Sequence, residues 1–375
     1  MNRRIGLVIP ALDAVGGAER MGMALAEGLA RAGWAVTVLA LSGDLPAERR
    51  ELLHGVDFVS LGMRKAWIDP RGWRRFRAWQ KAARPDVLHG HLAHGAWFVR
   101  AAKIFGTGRA VVVDTLHSTR FGGRWSARIY RWTRGLTDGT TAVSGAVRDA
   151  AMSAGIAERV CVVRNGIDLE GFRGAVSGER AEFAWLAVGR LEAVKDYRRL
   201  LRAFAEVVRQ TEQPVRLEIV GDGSERAKLE RLAKDLEIDG RICWRGFLED
   251  VREAYAGADA VVLASKWEGL PVCLMEAGAA GLPVVTTASA GALEIVLPEQ
   301  TGMVVPLARE TDGAAKNDPL AEAMLRMMKM DGAARAAMGE AARGRVEAEF
   351  RVERMVSGYE ALYCELLERG SRRRK

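Results

Sequence analysis

Two kinds of apolar pattern alternate along the chain. Short runs rich in Val, Ile and Leu are separated by longer stretches in which apolar residues recur about once per helical turn. In the first half, residues 5–11, 35–42, 56–61, 86–91, 110–117, 139–143 and 159–163 read as strands, and 19–32, 71–83, 93–105, 124–134 and 145–154 as helices. Met21, Leu25 and Leu29, for example, fall on one face of the first helix. The alternation then starts again. Strands are predicted at 183–189, 215–221, 241–246, 260–264, 283–287 and 302–305, and helices at 197–209, 224–236, 270–280, 292–297 and 319–329. Continuous apolar strands alternating with helices imply parallel sheets covered on both faces, so the fold class is α/β with two doubly wound units. The join falls at 165–182, where Asn165-Gly166 is a turn signal and Gly171, Gly174 and Gly178 loosen the chain, giving domains at 1–168 and 169–350. One more helix, 352–368, follows the second sheet, and the tail 372–375 is all basic and reads as disordered.

Composition adds three constraints. The 375 residues contain no uncharged apolar run of the roughly 18 residues that a membrane-spanning helix needs, and the apolar stretch at 5–11 reads as a first strand rather than a signal peptide. Cys161, Cys243, Cys273 and Cys364 lie far apart without a C-x-x-C pair, which fits packed, reduced thiols in a cytoplasmic protein better than a disulfide framework or a zinc site. The charge is uneven. Residues 1–168 hold 25 Lys and Arg against 14 Asp and Glu, and the remainder 31 against 34. An anionic partner is therefore expected for the first half only.

In open parallel sheets, ligands bind beyond the carboxyl ends of the strands. Three segments at such ends carry candidate chemistry. Gly16-Gly17-Ala18-Glu19 follows the first strand and opens a helix, where small residues and free amides admit an anion. The fingerprint G-x-G-x-x-G is missing, which argues against NAD or FAD. Gly189-Arg190-Leu191, with Lys195 shortly after it, follows the first strand of the second half; a guanidinium fork and a point charge suit a diphosphate. Glu268-Gly269-Leu270-Pro271-Val272 runs from a strand end into a helix that carries Glu276. The amides at 269–272 form an anion-binding helix start, and two carboxylates about 10 Å apart can accept from different hydroxyls of one extended ligand. The neighbours Leu274, Met275, Ala277 and Ala280 predict that Glu276 is not simply solvated. His89, His91 and His94 cluster, but with no metalloprotease or zinc-finger spacing and no D-x-D motif in the chain, so no metal is expected. His91 reads as lining the acceptor side.

Taken in order, the Gly16-Gly17-Ala18-Glu19 loop, Asn165-Gly166-Ile167-Asp168, Gly189-Arg190-Leu191 with Lys195, and Glu268-Gly269-Leu270-Pro271 with Glu276 resemble glycosyltransferase family four over nearly the whole chain. The resemblance implies retaining enzymes of GT-B fold, with two Rossmann-like domains facing a central cleft and the C-terminal helix, 351–370, packing back on the first domain. It also implies roles. Arg190 and Lys195 would hold the donor diphosphate and stabilise the leaving group. Glu276 would bind the ribose hydroxyls, and Glu268 the transferred sugar beside the amides of Gly269 and Leu270. Gly16 and Gly17 would face the donor phosphates, and Gly246-Phe247 the base. His117 would touch the donor sugar. The nucleotide sugar is then a substrate, and neither a cofactor nor a metal is expected. Retention would proceed by departure and attack on one face, with electrostatic hold on the diphosphate as the main catalytic effect.

The basic half has its own expectation. Arg64-Lys65-Ala66-Trp67, Trp73 to Lys81, Arg120-Phe121 and Trp125 to Arg134 interleave cations with aromatics, a composition suited to an anionic membrane surface. The partner expected there is a lipid-linked or envelope glycan acceptor, with the protein peripheral on the inner face of the cytoplasmic membrane. The competing readings are a transferase for a soluble acceptor, a GT-B epimerase, a non-catalytic sugar-nucleotide-binding module, and a nucleic-acid-binding protein. The last finds no helix-turn-helix, zinc-finger or RNP-type motif to support it.

Overall fold

The first strand shows how the sheets are built. In β1 (Arg4–Ala11), Ile5, Leu7 and Ile9 pack to one side, while Val8 packs to the other among a separate set of buried residues. A strand with both faces covered must be apolar at every position, hence the continuous run. The computed structural model describes residues 3–11, 16–45, 50, 53–64, 68–106, 108–172, 181–307 and 318–372. The segments 65–67, 173–180 and 373–375, which include Lys65, Trp67, Gly174, Gly178 and most of the basic tail, lie outside them. The chain divides into two compact units, Met1–Ile167 with Val352–Lys375, and Asp168–Arg351.

Unit 1 continues through α1 (Gly17–Arg31), β2 (Ala35–Ser42), β3 (Val56–Ser60), α2 (Pro70–Ala83), β4 (Val87–His91), α3 (Leu92–Ile104), β5 (Val111–Leu116), α4 (Arg124–Trp132), β6 (Gly139–Ala142), α5 (Gly145–Ser153) and β7 (Cys161–Val162). The sheet is parallel throughout, in the order β3-β2-β1-β4-β5-β6-β7. The chain winds outward one way from β1 and then the other way from β4, so the β1/β4 boundary is the topological switch point. The last helix of the chain, Val352–Arg372, also belongs to this unit and buries Val352, Met355, Val356, Tyr359, Tyr363 and Leu366 against the β1 and α1 side of the sheet. It comes so close to α1 that a Cβ on Gly28 would lie 2.3 Å from Val356 Cγ2.

On the other face, Trp73 stacks on Phe98 with ring centroids 4.4 Å apart, Phe76 is buried, and Trp79 packs against the same cluster. This corrects the membrane reading of 73–81. The helical period of α2 turns its aromatics inward and leaves its arginines outside, so these rings are core. Trp125 and Trp132 of α4 behave differently: they are 70% and 74% exposed, while Tyr130 of the same helix is buried. The anchor beneath α4 is a buried ion pair. Arg100 from α3 makes a two-pronged contact with Asp114 of β5, at 2.9 Å for the closest pair, and also donates to the Tyr130 carbonyl.

Unit 2 comprises β8 (Phe183–Val188), α6 (Tyr197–Gln210), β9 (Val215–Val220), α7 (Arg226–Asp235), β10 (Ile242–Gly246), α8 (Arg252–Ala256), β11 (Ala260–Leu263), α9 (Val272–Ala279), β12 (Val284–Thr287), α10 (Ala290–Ile295), β13 (Gly302–Val305), α11 (Pro319–Lys329) and α12 (Gly332–Glu349); the helix Val352–Arg372 is α13. Its parallel sheet runs β10-β9-β8-β11-β12-β13, with the switch point between β8 and β11. The sequence pattern missed α8 and the 18-residue α12. The residues of α12 are mostly Ala, Gly, Arg and Glu, so no apolar stripe announces it. Its contact with α9 is made by small residues: a Cβ on Gly278 would meet Val346 Cγ2 at 2.5 Å, and one on Gly339 would overlap the Gly281 carbonyl. All four cysteines are free; Cys273 is buried, whereas Cys161 and Cys243 are exposed rather than packed.

Candidate active site

The switch point of unit 2 brings two strand ends side by side. Beyond β8 come Gly189 and Arg190, then a short turn at Ala193–Lys195 and the left-handed Asp196 (φ 49°) that starts α6. Beyond β11 comes the segment from Ser265 to Pro271. The two are joined by three contacts: the Lys266 amide donates to the Val194 carbonyl at 2.9 Å, Lys266 lies 3.7 Å from Asp196, and Lys195 Nζ donates to Glu268 Oε1 at 2.5 Å. Two glycines let neighbouring elements come close to these loops, Gly221 after β9 and Gly291 in α10. A Cβ on Gly221 would sit 2.1 Å from the Gly189 carbonyl, and one on Gly291 would sit 2.5 Å from the Gly269 carbonyl. Sequence reasoning placed Lys195 and Glu268 in separate loops; the strand order makes them partners.

Burial works against a charge on Lys195, but the facing Glu268 outweighs that cost and holds the lysine pKa above its ordinary value. Lys195 is thus a fixed cation with only 18% of its side chain exposed. Burial pushes the neighbouring Cys273 thiol up to about 12, which leaves it a neutral packing group. Arg190 is exposed. The amides of Gly269, Leu270, Pro271 and Val272 were expected to open a helix; α9 starts at Val272 with Pro271 at its cap, and since proline has no N–H that position offers no donor.

Glu276 lies in the second turn of α9 and is 6% exposed. It accepts from the Tyr255 hydroxyl at 2.9 Å, and that hydroxyl also lies 3.1 Å from the Cys273 carbonyl. Tyr255 belongs to the overlooked α8; a single tyrosine between two alanines carried no signal of this contact. Ser265 and Ser289, each buried at a strand end, have hydroxyls with no hydrogen-bond partner among the described residues. Gly246 is linked to the β9 end through Gly221, whose amide donates to its carbonyl at 2.7 Å, and Phe247 beside it is 51% exposed.

The remaining candidates belong to unit 1. Gly16 caps α1, and its amide donates to Glu19 at 3.1 Å, so one free donor of that helix start is already occupied. Gly17 is exposed. His117 follows β5, and its Nε2 lies 3.2 Å from Nδ1 of His91, at the end of β4. Burial holds His117 down at about 4, His89 at about 3, and His91 well below the usual imidazole value. All three are neutral near pH 7. His94 stacks edge-on with Trp97 instead of joining them. Among the described residues, no group of three His, Cys, Asp or Glu side chains is arranged to hold a metal ion.

Comparison with known proteins agrees with the two-unit fold. Residues 15–170 match the family model Glycosyltransferase Family 4, and residues 178–345 match Glycosyl transferases group 1. The chain is 29% identical over 300 residues to the N-acetyl-alpha-D-glucosaminyl L-malate synthase of Bacillus anthracis, covering 75% of each protein. It is 28% identical over 321 residues to a GDP-mannose-dependent alpha-mannosyltransferase of Mycobacterium tuberculosis, covering 79% of this chain and 82% of the other. Among solved structures, Anabaena HepE in complex with UDP and glucose superposes with a TM-score of 0.81 at 19% identity, over 97% of this chain and 100% of that one. Both family models fall in order on the two parallel-sheet units, and the chain therefore belongs to glycosyltransferase family four and is a glycosyltransferase of GT-B architecture.

Proposed function

We propose that this glycosyltransferase is retaining and metal-independent, and that it moves a hexose or N-acetylhexosamine from a nucleoside-diphosphate sugar to a lipid-linked or envelope glycan. The observation that carries the donor assignment is the Lys195–Glu268 pair at the switch point of unit 2, where a doubly wound sheet places its ligand. Lys195 offers its charge to the diphosphate, with Arg190 as a fork of donors. Glu276, already oriented by Tyr255, accepts from ribose hydroxyls. Glu268 bridges Lys195 and a hydroxyl of the transferred sugar. Gly16 and Gly17 admit the phosphates, Gly246 and Phe247 lie by the base, and His117 meets a sugar hydroxyl.

The reaction needs no protein nucleophile in this reading. The bond from the anomeric carbon to the diphosphate breaks, and the acceptor oxygen attacks the same face. The acceptor proton passes to the departing phosphate oxygen. Fixed cations lower the cost of the charge that builds on the leaving group, the task a metal performs elsewhere. The relative named for GDP-mannose and the structure solved with UDP and glucose support a nucleotide-sugar donor and leave its base to experiment.

For the acceptor, Trp125 and Trp132 stand out from α4 beside Arg124, Arg128 and Arg131, a face that suits anionic headgroups on the inner side of the cytoplasmic membrane. No helix among the described residues is long and apolar enough to cross a membrane. The relative named for L-malate supports a second reading, a small soluble acceptor.

The test is a screen of UDP-, GDP- and ADP-sugars for release of nucleoside diphosphate, with bacterial lipid extract, with small hydroxy acids, and with chelator. Release dependent on the lipid extract and resistant to chelator supports the proposal. Release with a hydroxy acid alone replaces the acceptor, and loss of activity in chelator that added metal restores removes the metal-independent step.

A further inference from the structure

Unit 1 carries its own buried polar assembly at the carboxyl ends of β4 and β5. The two-residue period of a strand places His89 and His91 on one face of β4, with ring centroids 4.2 Å apart. His89 is fully committed. Its Nδ1 lies 2.7 Å from the Tyr363 hydroxyl and its Nε2 2.6 Å from Thr115 Oγ1, which in turn contacts Thr141 at 2.6 Å and the Tyr359 hydroxyl at 3.0 Å. The ring of His91 rests against this fixed imidazole. Its backbone is equally constrained: β4 passes into α3 with no connecting residue, through Leu92 in the left-handed region at φ 61°. Gly90 and Gly95 permit the turn, because a Cβ on Gly90 would lie 2.4 Å from the Gly95 carbonyl.

His91 has one hydrogen bond, from Nδ1 to His117 Nε2 at 3.2 Å, while its Nε2 is buried with no partner among the described residues. A neutral imidazole carries one N–H. If that hydrogen were on His91 Nε2, a buried donor would go unsatisfied, the rarer and costlier arrangement; an unused lone pair is better tolerated. The hydrogen therefore belongs on His91 Nδ1, which donates to His117 Nε2. His117 must then carry its own hydrogen on Nδ1, away from His91.

We propose that His91 is a positioning residue that locks His117 in its Nδ1–H form, so that this N–H is offered to an oxygen of a sugar hydroxyl. The burial that keeps both rings neutral supports the arrangement, since a protonated pair would lose the directional contact. Only the identity of the oxygen rests on the proposed function. The hydroxyl belongs to the transferred sugar or to the acceptor; both present the same chemistry.

The test uses the full chain with ¹⁵N-labelled histidine. Two-bond nitrogen–proton correlations report the tautomer of each of the five histidines, and His117→Gln assigns the signal. Wild-type His117 is expected in the Nδ1–H form. His91→Phe keeps the ring volume and removes the donor; His117 should then populate both forms while the His89 signal stays in place. In His91→Asn the side-chain amide nitrogen occupies the place of Nδ1 and should restore the wild-type pattern. The kcat should fall roughly 10-fold or more in His91→Phe and recover in His91→Asn, as expected when a tautomer is lost rather than a fold. A fall in both donor hydrolysis and transfer assigns the oxygen to the transferred sugar, and a fall in transfer alone assigns it to the acceptor. Wild-type His117 in the Nε2–H form, or a His117 spectrum unchanged by His91→Phe, overturns the proposal. The spectra need no substrate, so failure of every donor and acceptor would count against the proposed function and leave this inference to be judged on its own. Should His91→Phe fail to fold, the wild-type tautomer and His91→Asn decide.

Discussion

Lys195 sits where burial alone would favour its neutral form, and Glu268 reverses that balance. The side chain can therefore meet an anion without a change of protonation, as electrostatic preorganisation requires. Replacing it in Lys195→Met keeps much of the stem and removes the charge. We expect kcat/KM to fall by about 100-fold or more, with binding of the free nucleoside less affected than binding of the diphosphate. Equal loss of affinity for nucleoside and diphosphate would show that Lys195 supports the loop instead. The Arg100–Asp114 pair makes a contrasting case. Both side chains are fully buried, and together they tie α3, β5 and the carbonyl of Tyr130 in α4. Arg100→Met should leave a buried carboxylate unpaired and cost about 3–5 kcal/mol in urea unfolding. A change below about 1 kcal/mol would mean that water reaches Asp114.

At the scale of elements, α13 is the piece whose importance the chain order hides. It comes last, yet it supplies a wall of the first unit's core and the two tyrosine hydroxyls of the His89 network. Gly28 in α1 is the contact point, and no side chain fits between that position and Val356. Gly28→Val should therefore push the two helices apart and destabilise the first unit by about 1–3 kcal/mol, beyond what helix propensity explains. Gly33→Ala gives a useful contrast: it adds a methyl group where nothing lies within 4 Å, and its penalty comes only from its left-handed φ of 89°. If Gly28→Val unfolds at the wild-type urea midpoint, the close approach of α1 and α13 is wrong. The same use of small residues explains why α12 escaped the sequence pattern: its packing surface is made of Gly339, Ala342 and a Val346 that reaches Gly278.

For the molecule as a whole, the buried histidines set a pH dependence. Burial is the main cause in each case, and it depresses the folded-state pKa of His89 to about 3 and of His117 to about 4, from an ordinary 6.5. Between those values the unfolded chain binds protons that the folded chain refuses, so stability rises with pH and falls as the solution is acidified. The loss begins near pH 6.5, before ordinary carboxylates protonate, and levels off near the folded values. Asp318, held below the usual carboxylate range by Arg199 despite burial, contributes in the same direction at lower pH. The urea midpoint is expected to drop between about pH 7 and about pH 5, with less of a drop in His89→Gln. A flat profile over that interval would require the histidines to be hydrated in the folded state.

The succession of strands and helices was legible in the sequence because a parallel strand covered on both faces must be apolar throughout, and that demand leaves a mark at every position. The candidate residues at strand ends were legible for a related reason, since glycines and charged groups interrupt the apolar runs there. What those residues touch was decided by tertiary structure. Strand order puts β8 beside β11, and only then does Lys195 meet Glu268, 73 positions later. Inward rotation of α2 turned Trp73 and Trp79 from an apparent surface into core, because interleaved cations and aromatics look alike until the helix has a side to bury. Glu276 found its partner in α8, 21 residues away, His89 found its partners in β5 and α13, 26 and 274 residues away, and His91 met His117, just past β5 and 26 residues away. Period and composition are properties of neighbours in sequence; hydrogen-bond partners and burial are properties of neighbours in space, and the winding of the two sheets converts one into the other.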